Sequence, residues 1–373
     1  MEKKKMETIT RTVSKVSEKT IEEIAREAIP QICVLGVGGA GCNIISWMKE
    51  KGVVGARIHA LNTDAKHLGI TRADTRILLG YQTCGGLGTG GFPEQGSKAA
   101  EESAGEIQKV IAGSGLVFIT AGLGGGTGTG ASPVIAKMAK DLGALTLGVV
   151  TIPFQVERSR MEKAKEGLAR LVEQCDAVVV IDNTRLRKFA GALPLTEAFA
   201  VANEMIANFI KNISETIAIP SLVNLDFADL KAIMTGARIC AVGIGEGQGD
   251  TKVENAVEKA LNSQLLDIGD IRRSEGGLIH LEGGDDMTLE DVTKAGEIVI
   301  SRISPNARVS WGARVNSKME GTMRATIVLA GVQSPFLETA VTPASLKLPT
   351  GSTFEAEVVK KSEESKKKGL FSF

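Results

Sequence analysis

Apolar positions along this chain fall into short, near-continuous runs separated by charged stretches whose apolar residues recur at helical spacing. Five runs have strand length: Gln31-Ile-Cys-Val-Leu35, Arg57-Ile-His-Ala-Leu61, Gly115-Leu-Val-Phe-Ile-Thr120, Leu145-Thr-Leu-Gly-Val-Val-Thr-Ile152 and Ala177-Val-Val-Val-Ile-Asp-Asn183. Runs of this kind suit strands buried on both faces of a parallel sheet. Helical patterns at 44–50, 134–140 and 161–174 lie between them, so the expectation is α/β with a Rossmann-like parallel sheet. Phe199, Ala202, Ile206, Phe209, Ile210 and Ile213 then mark one long central helix over 195–217, ended before Pro220. Further on, runs at 239–244, 277–281, 307–313 and 323–329 alternate with helical patterns at 251–265 and 288–303. They predict a smaller α/β C-terminal domain with a four-stranded sheet and with Trp311 in its core. The implied organisation is an extension (1–30), a nucleotide-binding domain (31–194), the central helix (195–220), a C-terminal domain (221–345) and a charged tail (346–373).

Glycine-rich loops follow the strands. The richest is Ala121-Gly-Leu-Gly-Gly-Gly-Thr-Gly-Thr-Gly-Ala-Ser-Pro133. So bare a backbone can take φ > 0 and turn its N–H groups to one point, an anion-binding nest. Pro133 suits a first helical position, which places the helix start near Ser132 and its positive end at the same point. The hydroxyls of Thr127 and Thr129 add donors, and the whole reads as a polyphosphate cradle. Gly36-Val-Gly-Gly-Ala-Gly41 adds G-x-G-x-x-G between a strand and a helix, with Asp64 about twenty residues beyond its end. Alone, that is a dinucleotide fingerprint, and an NAD-dependent oxidoreductase is the competing class. A third loop, Gly85-Gly-Leu-Gly-Thr-Gly-Gly91, and the lack of a His–acid pair for hydride chemistry favour a triphosphate held from several sides. No G-x-x-x-x-G-K-[ST] occurs, so backbone amides, helix dipoles and Mg²⁺ must neutralise the phosphates. Asp64 or Asn62 is placed to hold the water shell of that ion, and Asp64 also suits a helix N-cap.

Composition narrows the class further. The 373 residues balance 44 basic against 44 acidic side chains, which gives no nucleic-acid footprint. No apolar run is long enough to span a membrane, and the Lys/Glu-rich first thirty residues lack a signal region, so a cytoplasmic chain is expected. Ile21, Ile24 and Ala28 give that extension one amphipathic helical face. Five scattered cysteines read as free thiols, and three histidines form no ligand spacing.

In order, Gly36–Asn43, Asn62-Thr-Asp-Ala65, Gly86-Leu-Gly-Thr-Gly-Gly-Phe-Pro-Glu94, the cradle 122–130 and Asn224-Leu-Asp-Phe-Ala-Asp229 resemble the tubulin/FtsZ superfamily over about 31–335. The resemblance implies a GTPase that binds GTP/GDP with Mg²⁺, polymerises head to tail and builds a division ring at mid-cell. A divergent tubulin-like filament with a shape or regulatory role is the alternative within the superfamily. The implied nucleotide contacts are Gly38, Gly39, Ala40, Gly41, Cys42 and Asn43; Asp64; Thr89, Gly90 and Gly91; and Gly124, Gly125, Gly126, Thr127, Gly128 and Thr129. Glu157 and Arg160 are implied near the ribose and phosphates, with Arg158 as a substitute for Arg160, and Asn183 joins Asn43 at the base. Glu197 stands where the family carries aspartate. Asp226, Asp229 and Asn224 are implied as the catalytic group that one subunit supplies to the next. From composition and spacing alone, the two acids at a helix start read first as caps, and it is the resemblance that reverses this. The terminal Gly369-Leu-Phe-Ser-Phe373 is the implied docking peptide for a membrane-adaptor protein, on a tail short enough to suggest an archaeal-type member.

Overall fold

Six strands come first in the chain, most of them buried on both faces. They are β1 (Gln31–Val37), β2 (Ala56–Asn62), β3 (Thr75–Leu78), β4 (Ser114–Gly122), β5 (Leu145–Ile152) and β6 (Ala177–Asp182). All are parallel, in the order β3-β2-β1-β4-β5-β6. The computed structural model describes residues 30–218, 223, 225–262 and 271–338. The expectations for residues 1–29, Asn224 and the tail 346–373 lie outside the described residues.

Between these strands run α1 (Gly38–Glu50), α2 (Ala65–Ile70), α3 (Tyr81–Cys84), α4 (Pro93–Glu102), α5 (Ala104–Ile111), α6 (Thr127–Asp141) and α7 (Arg158–Gln174). After β6 come α8 (Asn183–Ala190), the long α9 (Leu195–Ala218) and α10 (Phe227–Met234). Alternate residues of each strand feed opposite layers. Cys33, Leu35 and Val37 face one core with α4–α7, whereas Ile32 and Val34 face the other with α1 and α9. Phe118 of β4 meets Phe209 of α9 edge to face at 6.3 Å, which locks the central helix onto the sheet.

The last four strands are β7 (Arg238–Gln248), β8 (Gly276–Gly283), β9 (Arg308–Val315) and β10 (Thr322–Ala330). They do not form a free-standing sheet. β7 pairs parallel with the start of β6 through Ala177↔Arg238, Val178↔Ile239 and Val179↔Cys240. One ten-stranded sheet results, continuing β6-β7-β10-β8-β9. The helices α11 (Lys252–Leu261) and α12 (Leu289–Arg302) pack on the far half, and the short α13 (Pro335–Glu338) lies near α7. Trp311 departs from expectation: on the edge strand β9 it is 42% exposed, because among the described residues no further strand pairs with β9.

The start of α6 also differs. The helix begins at Thr127, not near Ser132, and Pro133 lies inside it. Thr-Gly-Thr-Gly is a poor helix former, so propensity hides this first turn. Burial forms it instead. A Cβ on Gly130 would stand 1.8 Å from the Pro93 carbonyl oxygen, and one on Gly128 would stand 2.5 Å from that of Gly122. Only glycine lets α6 sink between β4 and α4.

Candidate functional site

The C-terminal ends of the parallel strands meet in a cavity of about 320 Å³, within the range of small-molecule sites. It straddles the gap between the turns after β1 and β4, where the strand order reverses. That is the topological switch point at which doubly wound sheets bind ligands. Gly39 and Ala40 line it from α1, Gly122, Leu123 and 125–128 from the β4–α6 turn, and Thr89 from the loop before α4. Thr151, Pro153 and Phe154 come from the end of β5, Glu157 and Arg160 from α7, Asn183 from α8 and Phe199 from α9.

Two helix N-termini converge there. Neither α1 nor α6 has a side-chain cap, so their first amides are left for a ligand. A Cβ on Gly38 would come within 2.9 Å of the Gly128 nitrogen, so bulkier residues would hold the two turns apart. Gly38 has φ +71 and makes the tight turn; Gly41 lies under the Thr120 carbonyl, where a Cβ would stand at 2.4 Å. Those are the packing roles the G-x-G-x-x-G spacing serves. In the 122–130 run, however, only Gly124 has positive φ. The glycines there serve close approach more than an inverted backbone. The inverted conformation belongs to the third loop, where Gly85, Gly86, Gly88, Gly90 and Gly91 all have φ between +60 and +84.

The lining carries one cation and one carboxylate, and they pair: Arg160 donates to Glu157 at 2.9 Å. Glu157 also accepts from the Phe154 N–H at 3.2 Å. Thr127 sits among hydroxyls, with Thr63 Oγ1 at 2.7 Å and Thr89 Oγ1 at 3.5 Å. Phe154 and Phe199 meet edge to face at 6.2 Å on the rim. Helical spacing assigns Phe199 to the core, yet it is 39% exposed and lines the cavity. The available signal was a phenylalanine two residues after Glu197 in a chain with only 4% aromatic residues.

Not every expected contact residue reaches this lining. Thr129 is fully buried and its hydroxyl accepts from the Gly124 N–H at 2.9 Å, bracing the loop from behind. Cys42 is buried too, and desolvation pushes its thiol up to about 11. Gly38, Gly41 and Gly124 lie beneath the surface, Gly91 is half-buried beside the lining, and Asn43, Gly90 and Glu197 are exposed outside it. Asp64 caps α2 by accepting from the His67 N–H at 3.0 Å. Arg158 is exposed and Arg160, not Arg158, lines the cavity.

Asp226 and Asp229 lie elsewhere. Asp226 caps α10, accepting from the Asp229 N–H at 2.7 Å. Phe227 packs over Gly115, at the start of β4, whereas the cavity begins at Gly122, at its end. Seven strand steps separate the two places, about 23 Å. The acids therefore sit at the opposite end of the sheet from their own chain's cavity.

Residues 31–191 match the family model described as Tubulin/FtsZ family, GTPase domain, and residues 239–333 match FtsZ family, C-terminal domain. The cell division protein FtsZ 2 of Methanocaldococcus jannaschii is 48% identical over 309 residues, 82% of this chain and 81% of that one. The chain belongs to the FtsZ family. FtsZ 1 of Archaeoglobus fulgidus is 45% identical over 319 residues, covering 85% of this chain and 86% of the relative. A solved FtsZ dimer from M. jannaschii superposes with a TM-score of 0.76 at 43% identity, over 87% of this chain and 92% of that one. Membership decides against the oxidoreductase alternative and assigns a GTPase domain of the cell-division family to the cavity-bearing half. Among the described residues, no helix is long and apolar enough to cross a membrane.

Proposed function

We propose that the cavity holds GTP, and that hydrolysis waits until a second copy of the chain brings its Asp226 and Asp229 over the γ-phosphate. The observation that carries this reading is the separation of parts. The cradle has no unpaired carboxylate, and the acids lie about 23 Å away on the opposite end. Amides of α1 and α6 and the Thr127 hydroxyl hold the phosphates, while Arg160 lies along their path. Asn183 and the Phe154–Phe199 pair fit the base and ribose side. Carboxylates from the adjoining subunit orient a water for in-line attack, and the amides and helix ends around the phosphates offset the negative charge that develops there.

Mg²⁺ fits this donor set. The lining offers hydroxyl oxygens and its single cation is paired with Glu157, so the charges of a triphosphate need an added hard cation. Were the ion bound, it would supply that charge; the hydroxyls of Thr127, Thr89 and Thr151 are the lining oxygens that could hold it or its water, while Asp64, which caps α2, could do so only through water.

Exposed apolar side chains support assembly through this end of the molecule. Leu87 is 90% exposed, Phe92 60% and Val156 84%; Val156 adjoins the lining residue Glu157, and Leu87 and Phe92 flank Thr89 at two and three residues. Apolar surface around a polar cavity marks a contact face. The related M. jannaschii protein was solved as a dimer. A contact between cavity end and acid end is heterologous and does not close, so it extends into a filament. Within that reading, the filament works at the mid-cell division site and Gly369-Leu-Phe-Ser-Phe373 docks a membrane adaptor. The test is GTP turnover per subunit across protein concentrations. Turnover should rise steeply above a threshold; a rate strictly proportional to protein would overturn the shared site.

A further inference from the structure

The loop between α3 and α4 forms one wall of the cavity through Thr89, and α7 forms another through Glu157 and Arg160. Five glycines of that loop adopt φ between +60 and +84. A backbone so free keeps one shape only when neighbouring elements hold it. Its near side is tied to the end of β2: the Gly88 N–H donates to the Thr63 carbonyl at 3.1 Å, and the Ala65 N–H to that of Gly86 at 2.9 Å. Among the described residues, one side chain holds its far side. Lys163 of α7 donates from Nζ to the Gly91 carbonyl at 2.8 Å, and the same amine stands 5.6 Å from the centroid of the Phe92 ring.

That amine has no carboxylate partner among the described residues. Its charge is spent on a carbonyl and a ring, a charge-assisted hydrogen bond combined with a cation–π contact. Phe92 is 60% exposed, so no core fixes it. From there the contacts run inward. The Phe92 N–H donates to the Thr89 carbonyl at 3.1 Å, and Thr89 presses on Gly126, where a Cβ would stand 2.0 Å from Oγ1. Gly126 is the N-cap residue of α6.

The lysine stands on a fixed stripe of α7. Arg160, Lys163 and Gly167 share one helix face by their spacing. Arg160 lines the cavity, and Gly167 lets α7 close onto α6, since a Cβ there would stand 2.4 Å from Thr129 Cγ2. We propose that Lys163 is a positioning residue that clamps segment 90–92 to α7, so that Thr89 stays against the start of α6 and a bound guanine nucleotide is retained. This rests on the reading of the cavity as the nucleotide site.

The experiment loads the full-length chain, below its assembly threshold, with a fluorescent GDP analogue and follows release into excess GDP by stopped flow. Lys163→Met should release the analogue about ten-fold faster. Lys163→Arg, which still reaches the carbonyl and the ring, should stay within about two-fold of the parent. Release from Lys163→Met within two-fold of the parent, or Lys163→Arg as fast as Lys163→Met, would overturn the clamp. If Lys163→Met does not fold, Lys163→Gln against Lys163→Arg decides in the same way, since glutamine loses the charge that both contacts use. A parent chain that fails to hold the analogue at all would refute the cavity reading, a result separate from any difference among the variants.

Discussion

Asp229→Ala separates binding from turnover more cleanly than any other change. Its backbone N–H, which Asp226 accepts, survives the substitution, so the cap of α10 is kept. Removing Asp226 would instead lose that cap, at about 1 kcal/mol. Across about 23 Å of water, a unit charge acts on another with only ~0.2 kcal/mol before salt screening. GTP affinity of Asp229→Ala should therefore match the parent. Turnover should fall roughly 10²- to 10⁴-fold, the usual worth of a positioned acid–base group. The decisive assay mixes this variant with one whose pocket is blocked. Gly39→Asp serves, because a Cβ at Gly39 meets nothing within 4 Å and the added carboxylate enters the cavity to repel phosphate. Each variant alone should be inactive. In an equal mixture, half the pockets are sound and half the acids facing them are sound, so about a quarter of parental turnover should return through head-to-tail contacts. No recovery in mixtures that co-sediment, or loss of GTP binding in Asp229→Ala, would refute the idea that the acids act across subunits.

Two further tests address the fold. His280 on β8 is buried with Nε2 lacking a hydrogen-bond partner, and desolvation lowers its pKa from 6.5 to about 4. Between those values the unfolded chain takes a proton that the fold refuses, so stability falls as pH drops through the window. From pH 6.5 to 4.5 the loss should be roughly 2–3 kcal/mol. Urea unfolding of the parent against His280→Gln at the two pH values would show it, and an identical pH response in both would refute it. Gly130→Ala should destabilise by about 3 kcal/mol or more, because its Cβ would stand 1.8 Å from the Pro93 oxygen. Gly125→Ala, with open space around it, should stay within about 1 kcal/mol of the parent; equal melting of the two variants would contradict the packing role of Gly130.

All the strands but β3, whose Thr75 and Arg76 are exposed, were legible because burial writes itself as apolar runs. Glycine clusters marked the loops at their ends for the same kind of reason: few other sequences leave so bare a backbone. What stayed hidden depended on contacts far apart in the chain. The first turn of α6 is Thr-Gly-Thr-Gly, whose propensity argues against a helix, and only α4 pressing on Gly130 makes it one. Phe199 repeats the spacing of the core residues of α9, so nothing local separates it from Phe209, although one reaches the cavity and the other meets Phe118. Joining of the last four strands to the first six rests on a short β6–β7 register with no signature in either strand. Thr129 looked like Thr127, two residues away; their different uses come from the half-turn between them, which aims one at Thr63 and the other at Gly124.

That short register also decides where the acids are. In a parallel pair, whatever precedes one strand lies beside whatever precedes the other. The Arg238 N–H donates to the Asp176 carbonyl at 3.2 Å, so α10, which leads into β7, is anchored beside the residues that lead into β6. Asn183, immediately after β6, is on the cavity. Moving Asp226 or Asp229 to its own chain's phosphates would mean reversing β7, and with it the antiparallel β10 and the strands beyond. No loop motion does this. A lone subunit thus carries a cradle without the acids proposed to work on its contents. Tightening the cradle alone should slow exchange without raising turnover, whereas strengthening the contact between opposite ends should raise turnover at low protein concentration even when GTP affinity is unchanged.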